Sequence, residues 1–174
     1  LGAFATRDYE AGELIAAEEA LVRWALPAGD ELVAGGLACS EPSESEVDEL
    51  IGSLSAGKRA AFFELCQTAE GSKTAHGIWK ANAFRILDED EGAFVAIFCR
   101  CARLNHACAP NAHICFNDEI KRHTLRALRH VRCGDELLIN YVGSAGAGMA
   151  RDARRDELRR RWGFHCACSN CALE

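Results

Sequence analysis

Arg103-Leu104-Asn105-His106-Ala107-Cys108-Ala109-Pro110-Asn111 lies between two stretches of strand character, residues 94–104 and 112–116. An Asn-His pair in isolation carries little weight, because a lone histidine is more often a satisfied structural residue than a catalytic one. It gains meaning from its surroundings. Further strand patterns follow at residues 124–131 and, after the Cys133-Gly134-Asp135 turn, at residues 136–142. Upstream, residues 5–24 read as short strands around a turn at Gly12, with Leu14, Ile15, Leu21 and Val22 as their apolar positions.

Between residues 27 and 74 the character changes. Ser43 with Glu46 forms a capping box, and Val47, Leu50, Ile51 and Leu54 follow at helical spacing. Phe62, Phe63, Leu65 and Cys66 give a second helical face ending near Gly71. Short strands thus surround a helical insert of about 45 residues. The tail, residues 151–161, holds six arginines and three acids at helical density, ordinarily a solvated helix face, and leads into Trp162-Gly163-Phe164.

The 174 residues suit one domain with an insertion, and 49% hydrophobic with 26% charged residues is the mixture of a soluble globular protein. Apolar runs such as residues 93–99 are far short of a membrane span, and the opening residues lack the pattern of a signal peptide. An intracellular protein, nuclear or cytoplasmic, without a membrane partner is expected. The formal charge of −6 argues against nucleic acid as a direct partner, whereas an acidic face suits a lysine-rich peptide.

Ten cysteines without secretory features read as reduced thiols or metal ligands. Cys166, Cys168 and Cys171 fall within six residues, close enough to converge on one tetrahedral Zn²⁺. A closed structural site needs a fourth ligand, and Cys108, the pair Cys99 and Cys101, Cys133 and His165 are the candidates. Cys99 and Cys101 sit two apart in an expected strand and look like small core residues, so Cys108, on a loop, is the better choice.

The segment from Asn105 to Asn111 resembles the Asn-His-Ser-Cys-x-Pro-Asn motif of SET-domain protein-lysine methyltransferases. Gly134-Asp135-Glu136-Leu137 before Tyr141 resembles the family's Gly-Glu-Glu-Leu stretch before its catalytic tyrosine. Gly2-Ala3-Phe4-Ala5 with Ala11-Gly12 is similar to its opening turn, and Trp162-Gly163-Phe164 before the cysteines to its post-SET segment. Asn82-Ala83-Phe84 further resembles the SMYD-like and fungal branch, in which the SET domain is split by an inserted region.

The resemblance implies a mostly β fold of short curved sheets, with a pseudoknot-like threading of the C-terminal segment, a helical insert and a zinc-binding post-SET tail. It divides the chain into residues 1–26 and 82–150 as the two parts of the SET domain, 27–81 as the insert and 151–174 as the tail. It implies S-adenosylmethionine as methyl donor and a lysine-containing protein or peptide, histones among the candidates, as substrate of a monomer. Gly2, Ala3 and Phe4 would approach the cofactor through the backbone, with Asn82, Asn105 and His106 holding its polar groups. Phe164 would cover the adenine, and Tyr141 would be catalytic. The bland readings are Gly2 as a turn residue, Phe164 as core and Asn82 as a helix end. One zinc on Cys108, Cys166, Cys168 and Cys171 would be structural.

Ile139 is two residues before Tyr141, so strand alternation turns both toward one channel. In relatives an aromatic hydroxyl here is associated with stopping early, and its absence leads to the expectation that methylation continues past one group. The family usually carries another glycine before the position of Leu1, so part of the cofactor turn is expected outside this sequence. Ala107 replaces the usual serine. The insert, with only Cys39 and Cys66, is too poor in cysteine for a zinc finger, and the sequence carries no helical-repeat domain. The alternative reading is a catalytically silent SET-like module for protein interaction.

Overall fold

A computed structural model describes residues 2–27, 40–68, 71–143 and 148–173; Leu1 and the Cys39 of the insert lie outside them. The chain divides into two compact units. The first comprises Leu1–Glu18, Arg103–Cys115 and His123–Glu174, the second Glu19–Ala102 and Phe116–Arg122.

In the second unit, strands β2 (Val22–Ala25), β3 (Ala83–Asp88) and β4 (Gly92–Ile97) form an antiparallel sheet with β4 in the centre. Helices α1 (Glu44–Gly52), α2 (Ala56–Phe63) and α3 (Ala75–Asn82) supply the rest of its core. The capping box starts α1 as its sequence requires: Glu46 N–H donates to Ser43 Oγ at 3.3 Å, and Ser43 N–H to Glu46 Oε2 at 2.8 Å. Val47 and Ile51, one turn apart, are buried with Phe62, Leu65, Ile78 and Trp79 against Val22, Val95 and Ile97.

Helix α2 ends at Phe63 rather than near Gly71. Gln67 bridges the connection that follows, its Oε1 accepting from Thr74 N–H at 2.9 Å and its amide donating to Ser72 O. Thr74 then caps α3, a helix the sequence pattern did not announce, by accepting from Gly77 N–H at 3.0 Å. Of the expected α2 face, Phe62 and Leu65 are buried, whereas Phe63 and Cys66 are exposed.

The first unit holds β1 (Leu14–Glu18) and most of β7 (Arg122–Ala127) and β6 (Ala112–Asn117), ordered β1, β7, β6 in an antiparallel sheet with a register shift between Leu14 and Ala16. Beside it, β5 (Asn105–His106) and β8 (Leu138–Ile139) form a parallel pair, Asn105 opposite Leu138 and His106 opposite Ile139. Parallel pairing requires a long crossover, and residues 107–137 provide it. The expected threading needs such a pair. Tail helices α4 (Arg151–Trp162) and α5 (Ser169–Leu173) follow, and α4 ends at Gly163, whose φ of 75° is the left-handed conformation a helix stop favours.

Three expected strands are shorter than their patterns. β4 stops at Ile97 because the chain turns, Ala102 N–H donating to Phe98 O, into a 3-10 turn at Cys101–Arg103. The strand argument that placed Cys99 and Cys101 on one face therefore lapses, although Cys101 is buried. β7 ends at Ala127, beyond which only Val131 bridges to Tyr9. β8 keeps two residues because its flanks are held elsewhere: Leu137 N–H donates to Ala3 O and Tyr141 N–H to His106 Nδ1.

Candidate active site and metal centre

Asn111 fixes the approach of β8. Its amide donates to Glu136 O at 2.8 Å, while its Oδ1 accepts from Leu138 N–H at 2.8 Å. The bend after β8 then sets Tyr141 against the 104–106 segment, where the phenol donates to Leu104 O at 2.6 Å and the backbone N–H to His106 Nδ1 at 3.0 Å. Since Nδ1 accepts, neutral His106 carries its hydrogen on Nε2, which lies 3.4 Å from Cys108 Sγ. Burial, with the nearby charge of Arg154, holds the His106 imidazole down to about 4, so it stays neutral at pH 7.

Three rings surround Tyr141. Its centroid is 5.0 Å from that of Trp162, 5.3 Å from His106 and 6.3 Å from Phe164, and His106 and Phe164 are 6.0 Å apart. Gly163, by turning left-handed between Trp162 and Phe164, lets both reach this cluster. Gly2 sits where a Cβ would run into Glu136 Oε1 and come within 3.0 Å of Asn105 Nδ2, so a larger residue would push these side-chain ends aside. Asn105 Nδ2 itself donates to Glu136 Oε1 at 2.6 Å. Ala3 O accepts from Leu137 N–H, Phe4 bridges Glu136, and the Phe4 side chain is exposed.

Gly2, Asn105, His106, Tyr141 and Phe164 thus all belong to the first unit. His106 differs from expectation in one respect: both ring nitrogens face protein groups, which leaves its backbone as what it offers a ligand. Asn82 belongs to the second unit, at the end of α3. Its amide donates to Ile78 O and Cys66 O, each at 2.7 Å, as a side chain closing a helix terminus does. Ile139 is 3% exposed and packs in the core; the strand ends there, so alternation does not carry from it to Tyr141.

Cys108, Cys166, Cys168 and Cys171 converge, their four sulfurs all within 4.8 Å of one another. A tetrahedral zinc with bonds of about 2.3 Å separates its sulfurs by about 3.8 Å. Cys108 lies 3.8 Å from Cys166 and 3.5 Å from Cys171, sulfur to sulfur, so the donor set fits. Burial pushes the Cys108 thiol up to about 12, against the pull of Arg154. Burial also opposes ionisation of Cys168, but hydrogen bonds from the Cys171 and Cys108 backbones bring it down to about 6. A thiolate among donors suits a cation.

Sequence reasoning passed over three residues here. Glu136 stands in a quoted motif, but its carboxylate contact with Asn105 depends on the crossover. Trp162 enters the resemblance only as the neighbour of Phe164, yet its ring lies closest to that of Tyr141 among the three around it. Arg154 was assigned to a solvated face, yet it is buried together with Leu158, and their i, i+4 spacing was the available signal.

The family described as the SET domain matches residues 1–142. The chain is similar to histone-lysine N-methyltransferase set5 of Schizosaccharomyces pombe, with 28% identity covering 74% of this chain and 39% of that protein. It is similar to histone-lysine N-methyltransferase SMYD3 of Mus musculus, with 35% identity over 53% of this chain and 21% of that one. Protein-lysine N-trimethyltransferase SMYD5 of Mus musculus matches at 31% identity over 49% and 20% of the two chains. The sequence here therefore spans well under half the length of these relatives. A ctPRC2 structure bound to S-adenosylmethionine aligns at 20% identity and a TM-score of 0.38, over 91% of this chain and 15% of that one.

Proposed function

The chain belongs to the SET-domain family, and from that premise we propose that it transfers methyl groups from S-adenosylmethionine to the side-chain amine of lysine in a protein substrate. The observation that carries this reading is the setting of Tyr141: its hydroxyl is fixed on Leu104 O within a cluster of aromatic rings, in the unit that also holds Asn105 and Gly2. The names of the relatives point to histone lysines as a substrate class. No helix among the described residues is long and apolar enough to cross a membrane, and we propose a nuclear or cytoplasmic monomer.

When bound, the cofactor supplies an electrophilic sulfonium methyl group. The bare backbone at Gly2, close to the Glu136 and Asn105 side-chain ends, suits a closely held ligand. Gly2, Ala3 and Phe4 through their backbone, Asn105 through its amide, the His106 backbone and the Phe164 ring would hold the cofactor. A lysine amine attacks only when neutral, and at pH 7 a lysine of pKa about 10.4 is neutral about once in two thousand, a deficit of roughly 4.6 kcal/mol. Apolar rings around the entering side chain disfavour its ammonium form by desolvation. Because the Tyr141 hydroxyl gives its hydrogen to Leu104 O, its lone pairs are left to accept from the amine and aim it. Cys108, Cys166, Cys168 and Cys171 would hold one zinc as architecture, since four thiolates leave no open position for substrate. It would pin the tail that carries Phe164 to the Cys108 loop.

The test is incubation of the zinc-loaded protein with S-adenosylmethionine and a peptide array that includes histone tails, followed by mass spectrometry. Methylated lysine in discrete peptides is the expected result. No product, together with no heat on titrating the cofactor, would overturn the reading and favour a silent interaction module.

A further inference from the structure

Arg154 is the anomaly of the tail. In a helix with six arginines at residues 151–161, it alone among them is classed as buried, at 8% exposure, one turn before the fully buried Leu158. Its Nη1 donates to Met149 O at 2.7 Å, and its Nη2 lies 3.8 Å from Cys171 Sγ. It also bonds toward Cys108, so one guanidinium addresses two of the four sulfurs, one on the loop after β5 and one on α5. Taking a charge out of water is unfavourable unless an opposite charge lies beside it. Four thiolates around a dication carry a net charge of about −2, and a donor to a ligating sulfur both delocalises that charge and fixes the ligand's direction.

We propose that Arg154 is a positioning residue of the metal centre: its buried guanidinium is the counter-charge of the zinc–thiolate cluster and holds Cys171 and Cys108 in their ligating directions. Each charge accounts for the burial of the other. Guanidinium suits the place better than ammonium would, because its planar fork can serve Met149 O and a sulfur at once. The inference rests on the cysteines holding a divalent metal and is independent of any methyl transfer.

The experiment measures zinc by elemental analysis and its affinity by competition with a chromophoric chelator, in the wild-type chain and in Arg154→Met, Arg154→Gln, Arg154→Lys and Arg159→Gln. One zinc per wild-type chain tests the metal centre by itself; its absence removes that centre whatever the arginine does. Given a loaded wild type, the neutral variants are expected to bind zinc about 10–100-fold more weakly. Arg154→Lys, which keeps the charge but not the fork, should recover part of that loss, and Arg159→Gln, at an exposed position, should match wild type. With cobalt in place of zinc, the neutral variants should shift the sulfur-to-metal charge-transfer band while retaining four thiolates. Wild-type affinity in either neutral variant overturns the proposal. So does an Arg154→Lys variant as weak as the neutral ones, which would assign the residue to packing and not to charge.

Discussion

The hydroxyl of Tyr141 is the smallest group on which the proposed activity turns. Tyr141→Phe keeps the ring among Trp162, Phe164 and His106 and removes only the oxygen that donates to Leu104 O. Turnover should fall about 10²–10³-fold, the usual loss when one oriented polar group leaves a reacting centre. Cofactor affinity by calorimetry should stay within a few-fold, and an unchanged rate would contradict the assigned role. A second residue-level expectation concerns His123, buried in β7, whose imidazole is held down to about 4 by burial and by the neighbouring His113. An unfolded histidine titrates near 6.5, so between those values the unfolded chain binds the extra proton and stability falls as pH drops. That one group contributes a slope of up to about 1.4 kcal/mol per pH unit in this window and none above it. Urea midpoints at pH 7 and pH 5 should therefore differ less in His123→Gln than in wild type.

Elements differ in how much of their cause is local. Helix α1 was legible because its start is written within four residues: Ser43→Ala should lower stability by about 1 kcal/mol in urea unfolding by removing the side chain that accepts from Glu46 N–H. The neighbours Phe62 and Phe63 were indistinguishable in the pattern, yet one is fully buried and the other 42% exposed. Phe62→Ala should cost about 3–5 kcal/mol and Phe63→Ala under about 1, read from the same unfolding curves. Strand β8 is shorter than its pattern for the opposite reason: its length is set by Asn111, Ala3 and His106, partners from 27 to well over 100 positions away, which no window of sequence contains. The burial of Arg154 escapes a local pattern likewise, since one of its contacts, Cys171 Sγ, lies 17 positions away.

At the scale of the molecule, the cysteine spacing in the tail told that a metal was expected, while the choice of Cys108 as fourth ligand depended on reading residue 108 as a loop, which the fold bears out. Removing zinc with a chelator should raise hydrogen exchange of amides in residues 148–173 and around Tyr141, whose ring packs with the cysteines. Amides of α1 and α3, whose core contains no cysteine of that cluster, should keep their protection; uniform loss in both regions would count against a local role for the metal. The parallel pair of β5 with β8, closed by Gly2 against Asn105 and Glu136, has a further consequence in time. Contacts between distant positions form only after long loops have closed, which makes such topologies slow to fold. A chain emerges from the ribosome amino end first, so residue 2 must wait for residue 136, and Cys108 for Cys171. During that wait the backbone of Phe4 and the strand edge at Asn105 lack their later partners Glu136 and Leu138, and such unpaired edges expose a nascent chain to non-native association.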